Sequence, residues 1–157
     1  MHGERSPWYE REQEFINNVR QLTSGQDNEV WSFGEEIYEI LKKFLFIREN
    51  LRDYIRGCMK AASETGAPVM RPVFFDFPED KAAWQVRDSY MFGPDLLVAP
   101  ILSPHATTRQ VYLPAGASWT DAYTKQVYEG GQTVTVPAPR DVIPVFFRDG
   151  VEYPVYE

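Results

Sequence analysis

The chain has 157 residues, 43% hydrophobic and 15% aromatic, enough apolar material for a packed core and too much for global disorder. Its net charge of -7 spreads 16 basic residues among 23 acids, which excludes the clustered Lys and Arg that a phosphate backbone requires, so no nucleic-acid partner is expected. No stretch approaches the roughly 20 apolar residues of a membrane span, and a single cysteine, Cys58, excludes a disulfide framework and a thiolate metal site. A compartment that makes no demand for disulfides, the cytoplasm first, is the expected location.

In chain order, residues 1 to 31 carry little periodicity and read as a loop with a short helix near Glu12 to Gln21. Ser32 lies three residues before Glu35, the spacing of a capping box. Apolar residues then recur at helical spacing from Ile37 to Ala62, with Gly66 as the C-terminal cap and Gly57 as the expected point of bending. "PVMRPVFF" is continuously apolar and reads as a strand over 69–77 buried on both faces, as in a parallel sheet. An amphipathic helix is expected from Glu79 to Tyr90.

After "MFGPD" the pattern changes. Six strand candidates follow, "LLVAPIL", "RQVYLP", "SWTDAYT", "KQVYEGG", "QTVTVP" and "VIPVFFR", separated by Pro and Gly turns. That regular spacing reads as an antiparallel β-sandwich. A domain boundary therefore falls near Gly93, dividing the chain into 1–93 and 94–157. One long helix, one buried strand and a short helix cannot enclose a core by themselves, so residues 1–93 read as the end of a larger sheet or barrel.

"HGERSPW" at 2–8, "GAPVMRPVFFDFPED" at 66–80, "DSYMFGPDLLVAPIL" at 88–102, "VYLPAGASWTDAYTKQVYEGGQTVTV" at 111–136 and "RDVIPVFFRDG" at 140–150 together resemble the C-terminal part of glycoside hydrolase family 31. That family includes α-glucosidases and α-xylosidases. The resemblance implies a fold of mixed class, α/β plus all-β: the last strand and flanking helices of a (β/α)8 barrel over 1–93, then a proximal antiparallel β-sandwich over 94–157. It also implies a retaining glycosidase, whose two carboxyl groups stand about 5 to 5.5 Å apart. In the family both are aspartates on barrel strands that would precede residue 1. No catalytic residue is therefore assigned here, and the chain alone is expected to be inactive.

The resemblance gives His2 the position of the histidine that hydrogen-bonds the sugar in the subsite of the cleaved residue, a role that suits a mostly neutral imidazole. Trp8 reads as an anchor of the same loop. Asp76 is the best-placed acid of "RPVFFDFPED", since barrel strands present functional groups at their C-terminal ends, but a structural role is preferred for it and for Glu79 and Asp80, which suit a helix N-terminus. Trp119, Tyr123 and Tyr128 alternate with polar residues and read as sandwich core, with a sugar-stacking face as the alternative. His105, in "SPHATT", has no ligand at metal spacing; neither metal nor cofactor is implied. Ser24 and Ser103 have no base in sight.

The expected partner is an oligosaccharide or glycoside held by the complete enzyme. The apolar faces of the long helix and of 69–77 imply self-association, or pairing with the preceding part of the barrel. A stand-alone carbohydrate-binding or interaction module is the competing reading.

Overall fold

A computed structural model describes residues 30–156. The chain divides into two units, 1–46 and 47–157. Of the first, a 3-10 turn over Val30–Phe33 leads through Gly34, at φ 86°, into helix α1 (Glu35–Asn50), whose opening turns belong to this unit. Because the helix begins at Glu35, Ser32 and Glu35 do not occupy the two positions of a capping box. Lys42 pairs with Glu39 at 3.2 Å and lies over the Tyr38 ring, while Trp31, Phe33 and Phe46 are exposed.

The second unit holds helix α2 (Arg52–Thr65), and the interruption between α1 and α2 falls at Leu51 rather than at Gly57. Leu51 has ψ near 5° and its side chain is buried, so the helical path breaks where a residue turns inward, while Gly57 sits inside α2. Gly66 closes α2 as expected, at φ 77° with its N–H on the Ala62 carbonyl at 2.9 Å.

The stretch 69–77 departs most from its sequence reading. Only Met70–Pro72 is extended (β1), with Arg71 buried between exposed neighbours; Val73–Asp76 then forms a single helical turn, α3. Val73 and Phe77 are both buried while Phe75 between them is exposed, which fits the i, i+4 face of a helical turn and breaks the i, i+2, i+4 alternation of a strand. A continuous apolar run serves either geometry, and tertiary packing has selected the helical one. The expected helix over 79–90 is likewise replaced by turns, a 3-10 turn over Ala83–Gln85 and strand β2 (Tyr90–Phe92). The parallel barrel strand expected at 69–77 is thus not formed: every strand pairing among the described residues is antiparallel.

The six later strands fall where the sequence places them: β3 (Leu96–Val98), β4 (Thr108–Leu113), β5 (Ser118–Asp121), β6 (Val127–Glu129), β7 (Gln132–Pro137) and β8 (Val145–Arg148). With β1 and β2 they form a six-stranded sheet in the order β1-β2-β3-β8-β5-β6 and a two-stranded β4-β7 ribbon. In the ribbon Val111 pairs with Val134, and these two with Leu113 and Val136 face inward. They share one core with Met91, Leu97, Trp119 and Phe146 of the large sheet, and with Val73, Phe77 and Ala83. The sheet's other face, with Leu96, Val145 and Phe147, takes Leu51, Tyr54 and Ile55 from the α2 region and Val155 from the C-terminal segment.

Two glycines are fixed by close approach. A Cβ on Gly93, which has φ 65°, would fall on the Tyr54 hydroxyl and Cys58 Sγ; one on Gly130 would fall on the Pro114 carbonyl oxygen. No helix among the described residues is long and apolar enough to cross a membrane.

Candidate functional site

His2, Trp8 and Ser24 lie outside the described residues. The site that the structure does define is a cluster of charged groups around Asp76, with two further polar groups beside it in the fold at Asp95 and Asp80. The Asp76 carboxylate accepts from Arg71 Nε at 2.7 Å, and the side chains are only 9% and 14% exposed for Arg71 and Asp76. The pair forms because the chain switches from strand to helix at Pro72, folding residue 76 back over residue 71. Burial pushes the Asp76 carboxyl up from its ordinary range against the pull of Arg71 and of Arg148. Arg71 also lies over the Phe75 ring and Arg148 over Phe77, at 5.2 and 4.8 Å from the ring centres.

A second polar group holds the β2–β3 turn. Tyr54 Oη donates to the Phe92 carbonyl at 2.8 Å and accepts from the Asp95 N–H at 3.2 Å, while Tyr153 Oη donates to Asp95 Oδ2 at 2.8 Å. Burial drives the Tyr54 pKa far up, and burial with the Asp95 carboxylate raises Tyr153 to about 12. Both phenols are therefore protonated donors at neutral pH. The Cys58 thiol is pushed up chiefly by burial, the opposite of an activated nucleophile.

Asp80 ties the segment after α3 to the ribbon. Its Oδ2 accepts from Tyr112 Oη at 2.7 Å and from the Ala115 N–H at 2.8 Å, and its Oδ1 from the Ala82 N–H at 2.9 Å. Burial opposes ionisation, but these bonds outweigh it and hold the carboxyl below its ordinary range. A group so lowered contributes stability above its unfolded pKa and loses it as pH falls through the folded one. Asp80→Ala is therefore expected to cost about 2–3 kcal/mol at pH 7. The gap from the unmodified chain should close as pH drops below the ordinary carboxylate range, as followed by thermal melts across pH. A gap that stayed constant down to pH 2 would show that the carboxylate charge contributes nothing.

The remaining candidates sort by burial. Trp119 is fully buried with Nε1 on the Pro114 carbonyl at 3.0 Å, so it is core, and Tyr128 packs edge-on against Phe146. Tyr123 is exposed and meets Tyr156 edge-on. They form no common stacking face. Asp121, unremarked in the sequence, is buried and accepts from the N–H groups of Tyr123 and Thr124, shaping the β5–β6 hairpin. His105 occupies an exposed turn at φ 61°, on the rim of a groove of about 710 Å³ lined largely by Pro100, Ile101, Pro104 and Pro139. A shallower groove of about 460 Å³ runs beside β4, where Arg109 pairs with Asp88 at 2.7 Å.

Asp76, Asp80, Asp95 and Asp121 are thus each committed to bonds that hold elements together. Sequence reasoning found Asp76 and Asp80 but missed Arg71, Tyr54 and Asp95, whose roles depend on contacts 38 to 58 residues apart or on the turn at Pro72.

Among the described residues the site is thus a set of aspartates bonded to their own domain, with Asp95 close enough to Asp76 to add to the rise of its pKa. Comparison with known proteins supplies the family. The Glycosyl hydrolase family 31 C-terminal domain matches residues 66–151. Alpha-glucosidase 2 of Bacillus thermoamyloliquefaciens is 38% identical over 122 residues, which is 78% of this chain and 15% of that protein. A family 31 alpha-xylosidase from a soil metagenome, solved with xylose, superposes with a TM-score of 0.77 at 52% identity, over 81% of this chain and 19% of its own. A family 31 dextranase of Flavobacterium johnsoniae, solved with isomaltotriose, gives 0.77 at 36%, over 82% and 16%. The chain belongs to glycoside hydrolase family 31 and spans less than a fifth of the length of these relatives.

Proposed function

We propose that this chain supplies the C-terminal β-domain, and the helices leading into it, of a retaining α-glycosidase that hydrolyses α-glucosidic or α-xylosidic bonds. The observation that carries the reading is the family match across 66–151, joined to the commitment of the four aspartates above to structural bonds. In this reading the nucleophile and the acid/base come from a barrel outside the chain, and His2 reaches the sugar only when that barrel is complete. The seam between barrel end and β-domain is kept near residue 93 in this reading, with 66–93 on its barrel side; the family match runs from residue 66, and β1, β2 and β3 are successive strands of one sheet, so that segment packs with the β-domain. Exposed Met59, Met70 and Phe75 belong to the surface that the rest of such an enzyme, or a second copy of this chain, would cover.

Assay on aryl α-glucoside and α-xyloside tests this. Turnover with retained anomeric configuration is expected from a form carrying the whole barrel, and none from the 157 residues, which should also sediment as more than a monomer at micromolar concentration. Turnover by the 157-residue chain would place the catalytic acids inside it and end the proposal; saccharide binding without turnover in either form would favour a binding module.

A further inference from the structure

The structure assigns Trp84 as a stacking platform for a pyranose ring, a saccharide contact made by the β-domain itself. Trp84 is 53% exposed although one face of its indole is already covered: Phe74 lies parallel beneath it, ring centres 4.4 Å apart and planes 8° from coincident. The exposed area is therefore the opposite face and the rim. The indole N–H is spent on the Pro78 carbonyl at 3.0 Å, which fixes the ring in its own plane and leaves a flat surface without an unmet donor.

Its mounting is rigid. Phe74 sits in α3 between buried Val73 and the buried Phe77 that follows the turn, and packs against the main core; Ala83, next to Trp84, is fully buried. A plate held in this way is ordered before any ligand arrives, so binding forfeits little side-chain entropy.

The chemistry of the plate selects the ligand. An aromatic face carries the negative side of a quadrupole and attracts the polarised C–H groups of a sugar's apolar face, while hydroxyls around the sugar's edge stay in water. Exposed Glu79, Lys81 and Gln85 flank Trp84 in sequence and offer both donors and acceptors at that edge. Trp119, the aromatic that the sequence would put forward, is fully buried and cannot serve. That the ligand is a saccharide, and an α-linked glucose or xylose, rests on the proposed function; that the indole is a fixed, half-exposed plate does not.

The test uses the 157-residue chain, labelled with nitrogen-15 and titrated with isomaltotriose and maltotriose, with cellotriose as the β-linked comparison. Four indole N–H signals are present, and Trp84→Phe identifies the one that belongs to Trp84 by removing it. The expected result is a saturable shift of that signal with the α-linked sugars. Trp84→Ala should bind them at least about tenfold more weakly, a loss of roughly 1.4 kcal/mol, while Trp84→Phe, which keeps an aromatic plate over Phe74, should retain binding; the dispersed amide spectrum of each variant shows that the domain stays folded. A Trp84 signal unmoved by any of the three sugars, or equal binding by Trp84→Ala, would overturn the assignment and leave Trp84 as a contact for protein. A shift with cellotriose alone would keep the platform and overturn the linkage. Activity of the complete enzyme is measured separately, so an active enzyme with a silent Trp84 refutes only the platform, and the reverse refutes only the glycosidase reading.

Discussion

Arg71→Ala is expected to destabilise the β-domain by about 3–5 kcal/mol at pH 7, because it leaves the Asp76 carboxylate buried with its principal partner gone. Both side chains are nearly enclosed and joined at 2.7 Å, so water cannot simply replace the guanidinium. The cost should depend on pH in a direction set by Asp76. Burial already raises its pKa, and loss of Arg71 removes the largest opposing influence. A carboxyl with a raised folded pKa contributes stability below its unfolded pKa and loses it as pH climbs through the folded value. The variant should therefore be weakest near neutrality and regain part of its stability near pH 4, in urea titrations at the two pH values. Replacing the pair together, Arg71→Met with Asp76→Leu, should recover most of the loss, since two apolar groups leave no charge stranded. An Arg71→Ala chain as stable as the original at pH 7 would mean that the pair is solvated.

Trp119→Ala is the other large effect. The indole is fully buried, tilts against Phe77 at 5.6 Å and lies opposite the ribbon's Val111 and Val134 in the same core. Removing it should cost about 3–5 kcal/mol, chiefly as lost burial and an unfilled cavity. That is a large fraction of the roughly 5–15 kcal/mol by which domains are stable. Trp119→Phe separates two contributions: it fills most of the space but leaves the Pro114 carbonyl without its donor, for an expected loss of about 1–3 kcal/mol. Denaturant midpoints at constant slope would measure both. A Trp119→Ala midpoint within error of the original would contradict a fully enclosed position.

The contrast between the two halves of the chain shows what a sequence can and cannot say. In "QTVTVP" the valines face the core and the threonines face solvent, so period two reports burial directly, and β7 was legible along with β4 and β5. "RPVFFDF" has no such alternation. Its apolar run fits a strand or a helical turn equally, and the choice was made by Val73 and Phe77 reaching one core from adjacent turns. The run 79–90 has helical spacing, yet Asp80 turns its side chain to Tyr112 and Ala115, contacts 32 and 35 residues away that outweigh local propensity. The Asp76 pair was half visible: the acid stood out, but its partner emerged only once the backbone was known to fold back at Pro72. His2 rests on family likeness alone, since it lies outside the described residues.

The place of β8 has a consequence for biosynthesis. It lies between β3 and β5 and pairs with both, so the middle of the sheet is the part of it translated last. Until Val145–Arg148 are made, β1-β2-β3 and β5-β6 have no strand pairing between them, and the open edges of β3 and β5 await a partner more than twenty residues further along the chain. Folding of this sheet must wait for its last strand, and a chain broken before Val145 would leave two sets of strands with unpaired edges instead of a smaller sheet.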